Sequence, residues 1–266
     1  MMNVLIEKEM RPPVLDIYVQ TLGSFSVWRN GQQLPEQVWQ RATAVRLFQY
    51  LITNRGQYIA KERIVADLWP GLDETRADRD FKVALNALNN VLEPDRTPRA
   101  PAVFITRQQL SYGLNVTAPL RLDLFEFEEG LVKASQKEGL DPEVAIYLYQ
   151  QALQLYQGDY LPDAIYEDWA SAERERLSTL YLAGATRLAR LLLDAGQTVE
   201  MLLWCQKVIG MDACWEEAYR LLIRAHMANG NRPMAIRVYQ QCETALMKEL
   251  GVEPMNQTKR LYEELL

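Results

Sequence analysis

The sequence predicts a mixed, mainly helical chain in which an α+β first half precedes an all-α second half. Three observations carry that expectation. Period-two alternation of apolar residues is confined to the chain before about Leu120, a strongly amphipathic helix there is followed by a second pair of strands, and a segment of the second half repeats itself. The 266 residues, 48% hydrophobic and 24% charged, suffice for two cores.

Residues 1–13 read as an N-terminal tail, 14–118 as the first domain and 119–266 as the second. Leu15, Ile17 and Val19 alternate with Asp16, Tyr18 and Gln20, the period of a half-buried strand. Asn30-Gly31 is a hairpin signal joining residues 25–29 to 32–34. A helix is expected from about Arg41, with Ala44, Leu47, Phe48, Leu51 and Ile52 on one stripe and Gly56 past its end. Ile64, Val65, Leu68 and Trp69 mark a shorter helix from about Lys61, ended by Pro70-Gly71. Thr75, with Asp78 three residues on, predicts a capped start for a third helix running to about Leu92. Residues 102–107 and 110–116 then read as a hairpin with Arg107, Gln108 and Gln109 at its tip. Three helices and a hairpin in this order predict a winged helix-turn-helix.

Beyond Leu120 the strand signals stop. Asp141-Pro142 starts a helix, and Gly196 and Gly230 read as helix stops. Residues 145–151 recur as 235–241 with five of seven positions identical, and 199–209 match 233–243 in hydrophobic pattern at an offset of 34, the tetratricopeptide period. Stacked helix pairs are expected.

The third helix has two unlike faces. Ala77, Phe81, Ala84, Leu85, Leu88 and Leu92 form its core stripe, while Arg76, Arg79, Lys82, Val83, Asn86, Ala87 and Asn90 face the other way, a side read as poor in acid, with Asp78 assigned to the cap. Arg and Lys engage phosphates or guanine edges and Asn pairs bidentately with adenine, the donors a major groove requires. Arg107, Gln108 and Gln109 supply the wing, and Arg41, Thr43, Arg46, Lys61 and Arg63 are candidate supporting phosphate contacts. The net charge of −6 does not oppose this. Residues 14–119 hold 12 Lys and Arg against 10 Asp and Glu, whereas 120–266 hold 15 against 23, so the acidity belongs to the second half.

Trp39-Gln40-Arg41, the run from Ile64 to Pro70, Ala84-Leu85-Asn86-Ala87-Leu88 and Tyr112-Gly113-Leu114 resemble the OmpR/PhoB-type winged helix of the SARP family of bacterial activators. The second half resembles the bacterial transcriptional activator domain that follows it, through the run from Asp212 to Arg220, Ala235-Ile236 with Tyr239, and the run from Glu249 to Pro254. The resemblance implies a DNA-binding activator that recruits RNA polymerase through the sigma factor and the C-terminal domain of the polymerase α-subunit, with protomers side by side on direct repeats. Where family members carry an Arg pair in the recognition helix, this chain has Asn89-Asn90, which complete the candidate reading set. The competing expectation is an interaction module of a larger signalling regulator, weak or inactive on DNA, whose repeats bind a protein or small effector; Tyr147, Tyr149, Tyr156, Tyr160, Tyr166 and Trp169 are the aromatics to line such a groove.

Catalysis is not expected. Glu167, Asp168, Glu173 and Glu175 sit beside Arg174 and Arg176, where pairing within a helix accounts for them, and no phosphate-binding glycine loop, nucleophile elbow or metal-ligand spacing occurs. No cofactor is implied. Cys205, Cys214 and Cys242 read as packed thiols, and the single histidine, His226, as a packed or half-exposed helical residue. Neither a membrane span nor a signal peptide is legible, so a cytoplasmic protein is expected.

Overall fold

The computed structural model describes residues 16–266; the expected tail, with Val14 and Leu15 of the predicted strand, lies outside the described residues. The chain forms two compact units that a single cut after residue 118 does not separate. The first takes the chain to Leu124 and returns for Gly158–Arg174, and the second comprises Phe125–Gln157 and Glu175–Leu266.

The first unit is a winged helix. β1 (Ile17–Gln20) pairs antiparallel with β2 (Ser26–Arg29), and β2 with β3 (Gln32–Gln33). Asn30 and Gly31 have φ of 52° and 77°, the two left-handed residues a type I′ hairpin turn requires. α1 (Ala42–Thr53), β4 (Ile59–Ala60), α2 (Lys61–Leu68) and α3 (Glu74–Leu92) follow, then the wing strands β5 (Ile105–Gln108) and β6 (Ser111–Leu114). Two strands lie beyond the sequence expectation, because two or three residues carry no readable alternation. β4 pairs with β6, and β7 (Leu120–Leu122) adds parallel to β1. The cap of α3 also differs from expectation. Asp73, not Thr75, precedes the helix and accepts from the Arg76 amide at 3.0 Å, which frees Asp78 for other partners.

Leu47, Phe48, Leu51 and Ile52 of α1, Ile64 and Leu68 of α2, and Phe81, Leu88 and Leu92 of α3 close one core. Phe81 sets the tilt of α3 against the wing through edge contacts with Trp69 and with Tyr112, the latter at 5.0 Å between ring centres. Glu93, buried just past α3, accepts from the amides of Val103 and Phe104 and so ties the helix end to the hairpin entry. Gly113 is needed in β6, since a Cβ there would lie 2.6 Å from the Gln57 carbonyl oxygen.

After α4 (Asp123–Lys137) and α5 (Pro142–Leu155), residues 158–174, ending in the first turns of α6 (Asp168–Asp194), complete the first unit. Tyr160 bridges Leu22, is fully buried, and lies 2.8 Å from the Thr53 hydroxyl. Glu167 pairs with Arg46, Glu173 with Arg55 at 2.7 Å, and Trp169 packs on Tyr50. These two glutamates therefore have tertiary partners besides any pairing expected within a helix, because Glu167 precedes α6 and Glu173 reaches Arg55 just past α1.

The second unit is all-α and tetratricopeptide-like. α7 (Thr198–Met211) and α8 (Glu216–Ala228) form one pair, α9 (Arg232–Leu250) and α10 (Asn256–Glu263) the next. α7 and α9 begin 34 residues apart, and the buried Met201, Trp204, Cys205 and Val208 correspond at that offset to the buried Ala235, Val238, Tyr239 and Cys242. Burial pushes the Cys205 and Cys242 thiols up to about 12, which makes them inert packing groups. Cys214 and His226 are half-buried.

Asp123 is buried and accepts from the Thr21 amide at 2.7 Å, the Thr21 hydroxyl at 2.7 Å, the Leu22 amide at 2.8 Å and the Leu124 amide at 2.8 Å. Asp123→Ala leaves donors stranded at about 1 to 3 kcal/mol each, so a loss of about 3 to 5 kcal/mol is expected in urea unfolding followed by Trp fluorescence. An unchanged midpoint would refute the assignment.

Candidate nucleic-acid interface

α3 presents Arg76, Arg79, Lys82, Asn86 and Asn90 to solvent at steps of three and four residues, so they form one stripe opposite the buried Ala77, Phe81, Ala84 and Leu88. Asn89 does not join it. Only 8% exposed, it lies against the core with its Oδ1 lacking a protein hydrogen-bond partner. The neutral end of the stripe, Asn86 and Asn90, can pair with adenine edges, while its N-terminal half carries the cations.

The cations are not surrounded by an acid-poor surface. Arg76 pairs with Asp73 at 3.2 Å, Arg79 with Asp80 at 3.4 Å, and Lys82 with Asp78 at 2.6 Å. Asp78 reaches a second lysine as well, Lys61 of α2, also at 2.6 Å. Its hydrogen bonds to Lys61 and then Lys82 hold its carboxyl below the usual range, and the Asp78 carboxylate raises the Lys61 ammonium in turn. Releasing Asp78 from the cap thus creates a two-lysine clamp between α2 and α3.

The turn of the wing lies one residue later than expected. Gln108 lies in β5 opposite Ser111, so the turn is Gln109-Leu110, with Gln109 at φ 53°. Arg107, Gln108 and Gln109 are all exposed, as is Leu110 at the apex, a residue sequence reasoning missed because the turn was placed one residue early. Arg107 donates to the Gln109 carbonyl at 2.5 Å and lies over the Tyr112 ring, which stiffens the turn. The Leu110 carbonyl accepts from the Lys61 amide at 3.0 Å. Wing apex, α2 start and the Asp78 clamp are therefore adjacent.

The supporting residues separate. Lys61 belongs to the clamp, Arg41 is exposed and Thr43 half-buried at the start of α1. Arg63 pairs with Asp67, which also accepts from the Tyr50 hydroxyl of α1. Arg46 is held by Glu167 at 2.8 Å and donates to the Leu68 carbonyl at 3.2 Å. A half-buried guanidinium so engaged ties α1 to Glu167 and to the end of α2.

The sequence matches the bacterial transcriptional activator domain family over residues 122–266. The chain belongs to that family. With a winged helix ahead of its activator domain it has the order of a SARP-type transcriptional activator. It is 23% identical over 253 residues to the transcriptional regulatory protein MoaR1 of Mycobacterium tuberculosis and equally to MoaR1 of Mycobacterium bovis, covering 94% of this chain and 79% of each relative. Its fold is that of the solved Mycobacterium tuberculosis EmbR in complex with a low-affinity phosphopeptide, with a TM-score of 0.80 at 18% identity. That match takes in 95% of this chain and 65% of the EmbR chain, so this chain spans under two thirds of that relative.

The aromatic run considered for a groove divides between the two units. Tyr149 and Tyr156 are buried in the activator-domain unit, Tyr160 and the half-buried Trp169 in the winged-helix unit, and only Tyr147 and Tyr166 of the run are exposed. Among the described residues no helix is long and apolar enough to cross a membrane, and no group of three His, Cys, Asp or Glu is placed to hold a metal ion.

Replacing Asn89 by Leu removes an unpartnered buried oxygen without touching the exposed stripe. Thermal unfolding is expected to shift up by a few degrees, on the order of 1 kcal/mol, with no change in DNA affinity. A loss of affinity in a fully folded Asn89→Leu protein would return that residue to the interface.

Proposed function

We propose that this activator binds duplex DNA with α3 in the major groove and the wing hairpin on the neighbouring backbone, and recruits RNA polymerase. The observation that carries the reading is the single exposed stripe Arg76, Arg79, Lys82, Asn86 and Asn90, fixed beside an exposed wing by Phe81 and Tyr112. In chain order the DNA-binding domain takes residues 14–118 and the activator domain 119–266. The acidic residues 120–266 suit contacts with protein rather than phosphate, and by family resemblance the polymerase surfaces are the sigma factor and the C-terminal domain of the α-subunit. Protomers would sit side by side on direct repeats, in the cytoplasm.

Fluorescence anisotropy with promoter-length duplexes across a salt series tests the first part. Binding that weakens steeply with salt is expected, and the absence of binding by folded protein at low salt overturns the reading. Arg79→Ala should cost about 1 to 3 kcal/mol and relax one base position if that side chain reads a base, whereas an equal loss on all sequences makes it a phosphate contact. Co-precipitation with RNA polymerase holoenzyme tests the second part; no association on or off DNA would favour a repeat domain that binds another protein or an effector.

A further inference from the structure

We infer that Asp78 is a built-in competitor of DNA phosphate, lowering sequence-independent affinity so that base contacts from α3 decide where the protein binds. The inference rests on the reading that α3 faces DNA, and adds to it a residue that sets specificity. The Asp78 carboxylate occupies the same ammonium groups that a phosphate would need, Lys61 and Lys82, at 2.6 Å from each. Its position on the second turn of α3 puts it between the lysines and beside the wing apex, and its side chain is only 29% exposed, against 69% for Lys82. A long exposed side chain can swing from one partner to another, but Asp78 is short and stays on the helix when DNA arrives.

Its negative charge therefore remains under the phosphate track whichever way the lysines turn. Asp73 and Asp80 differ in being the more exposed partners of single, exposed arginines at longer distances, pairs that a phosphate displaces readily. Counterion release scales with the number of phosphates a protein neutralises, so a carboxylate shared between two lysines, which offsets one of their two charges, removes up to one from the count. Base recognition by Asn86 and Asn90 is uncharged and is not reduced in the same proportion. The ratio of specific to non-specific binding rises as a result.

The test uses the full chain, a 30-base-pair mixed-sequence duplex and a salt titration read by anisotropy. Asp78→Asn keeps the shape and removes the charge; it is expected to bind about 3- to 10-fold tighter at low salt, with a slope of log affinity against log salt steeper by about 1. Asp78→Ala repeats the measurement without an amide oxygen to hold the lysines, and circular dichroism melts confirm that both variants fold. Glu129→Gln, which removes one negative charge from the exposed surface of α4, controls for net charge and is expected to leave the slope unchanged. Equal slopes in wild type and both Asp78 variants overturn the inference while leaving DNA binding intact, as does an equal change in the Glu129→Gln control. Absence of binding by every protein at low salt removes instead the reading of α3 as a DNA-facing helix, and the inference falls with it.

Discussion

The winged-helix unit depends on one buried carboxylate. Asp123 gathers the end of β1, through the amides of Thr21 and Leu22, onto the junction of β7 and α4. Burial pushes its pKa up despite those hydrogen bonds, so ionisation is held at a cost that only satisfied donors offset. The consequence reaches beyond the sheet. With Leu22 fixed, Tyr160 can bridge it, the Leu161 amide can donate to the Thr21 carbonyl, and the chain segment that follows is delivered to α1 with Trp169, Glu167 and Glu173 in place. The winged helix is thus finished by residues that lie in the activator domain's stretch of sequence, from the loop after its second helix into the first turns of its third.

That arrangement decides which basic groups are free. Arg46 of α1 and Arg55 just past it are taken by Glu167 and Glu173, and the cations of α2 and α3 have carboxylates of their own. Exposed pairs contribute little to stability. Their effect falls on the potential outside the unit, where a surface with cations matched by acids attracts a polyanion weakly. Asn86 and Asn90, exposed on the same stripe, offer hydrogen-bonding groups without charge, which in the proposed interface would favour direct hydrogen bonding over electrostatic capture.

Much of this fold was legible because it is periodic. The 34-residue offset read from hydrophobicity alone is the offset at which the buried positions of α7 and α9 correspond, down to Val208 and Cys242. Helix order, the Asn30-Gly31 turn and the wing were legible for the same reason or from turn chemistry. The failures are equally physical. On a helical wheel Asn89 and Lys82 lie at similar angles, about 80° and 100° from Phe81, yet one is buried and the other exposed. The difference is position along the axis: toward its C-terminal end α3 also buries Val91, on the opposite flank, so the surrounding elements wrap that end more deeply than its start. No wheel contains that information. Nor could spacing show that Asp73 would take the cap and leave Asp78 to two lysines, since that choice depends on where α2 comes to rest.

If α3 faces DNA as proposed, a helix that grips phosphates weakly would need its occupancy from elsewhere. Base contacts supply some of it, but two or three amide and guanidinium contacts discriminate among sites better than they hold one. On the proposed reading the remainder would come from linkage, in which a second protomer on an adjacent repeat or a polymerase already at the promoter would turn binding into an intramolecular event with a high effective concentration. An activator built this way gains from a low solitary affinity. A protein that held DNA strongly by charge would be spread over non-specific sites and would be indifferent to whether its partner was present. On that reading weak capture at α3 and an acidic helical unit suited to protein contact would be two parts of one design, in which stable residence on DNA would report that the partner has arrived.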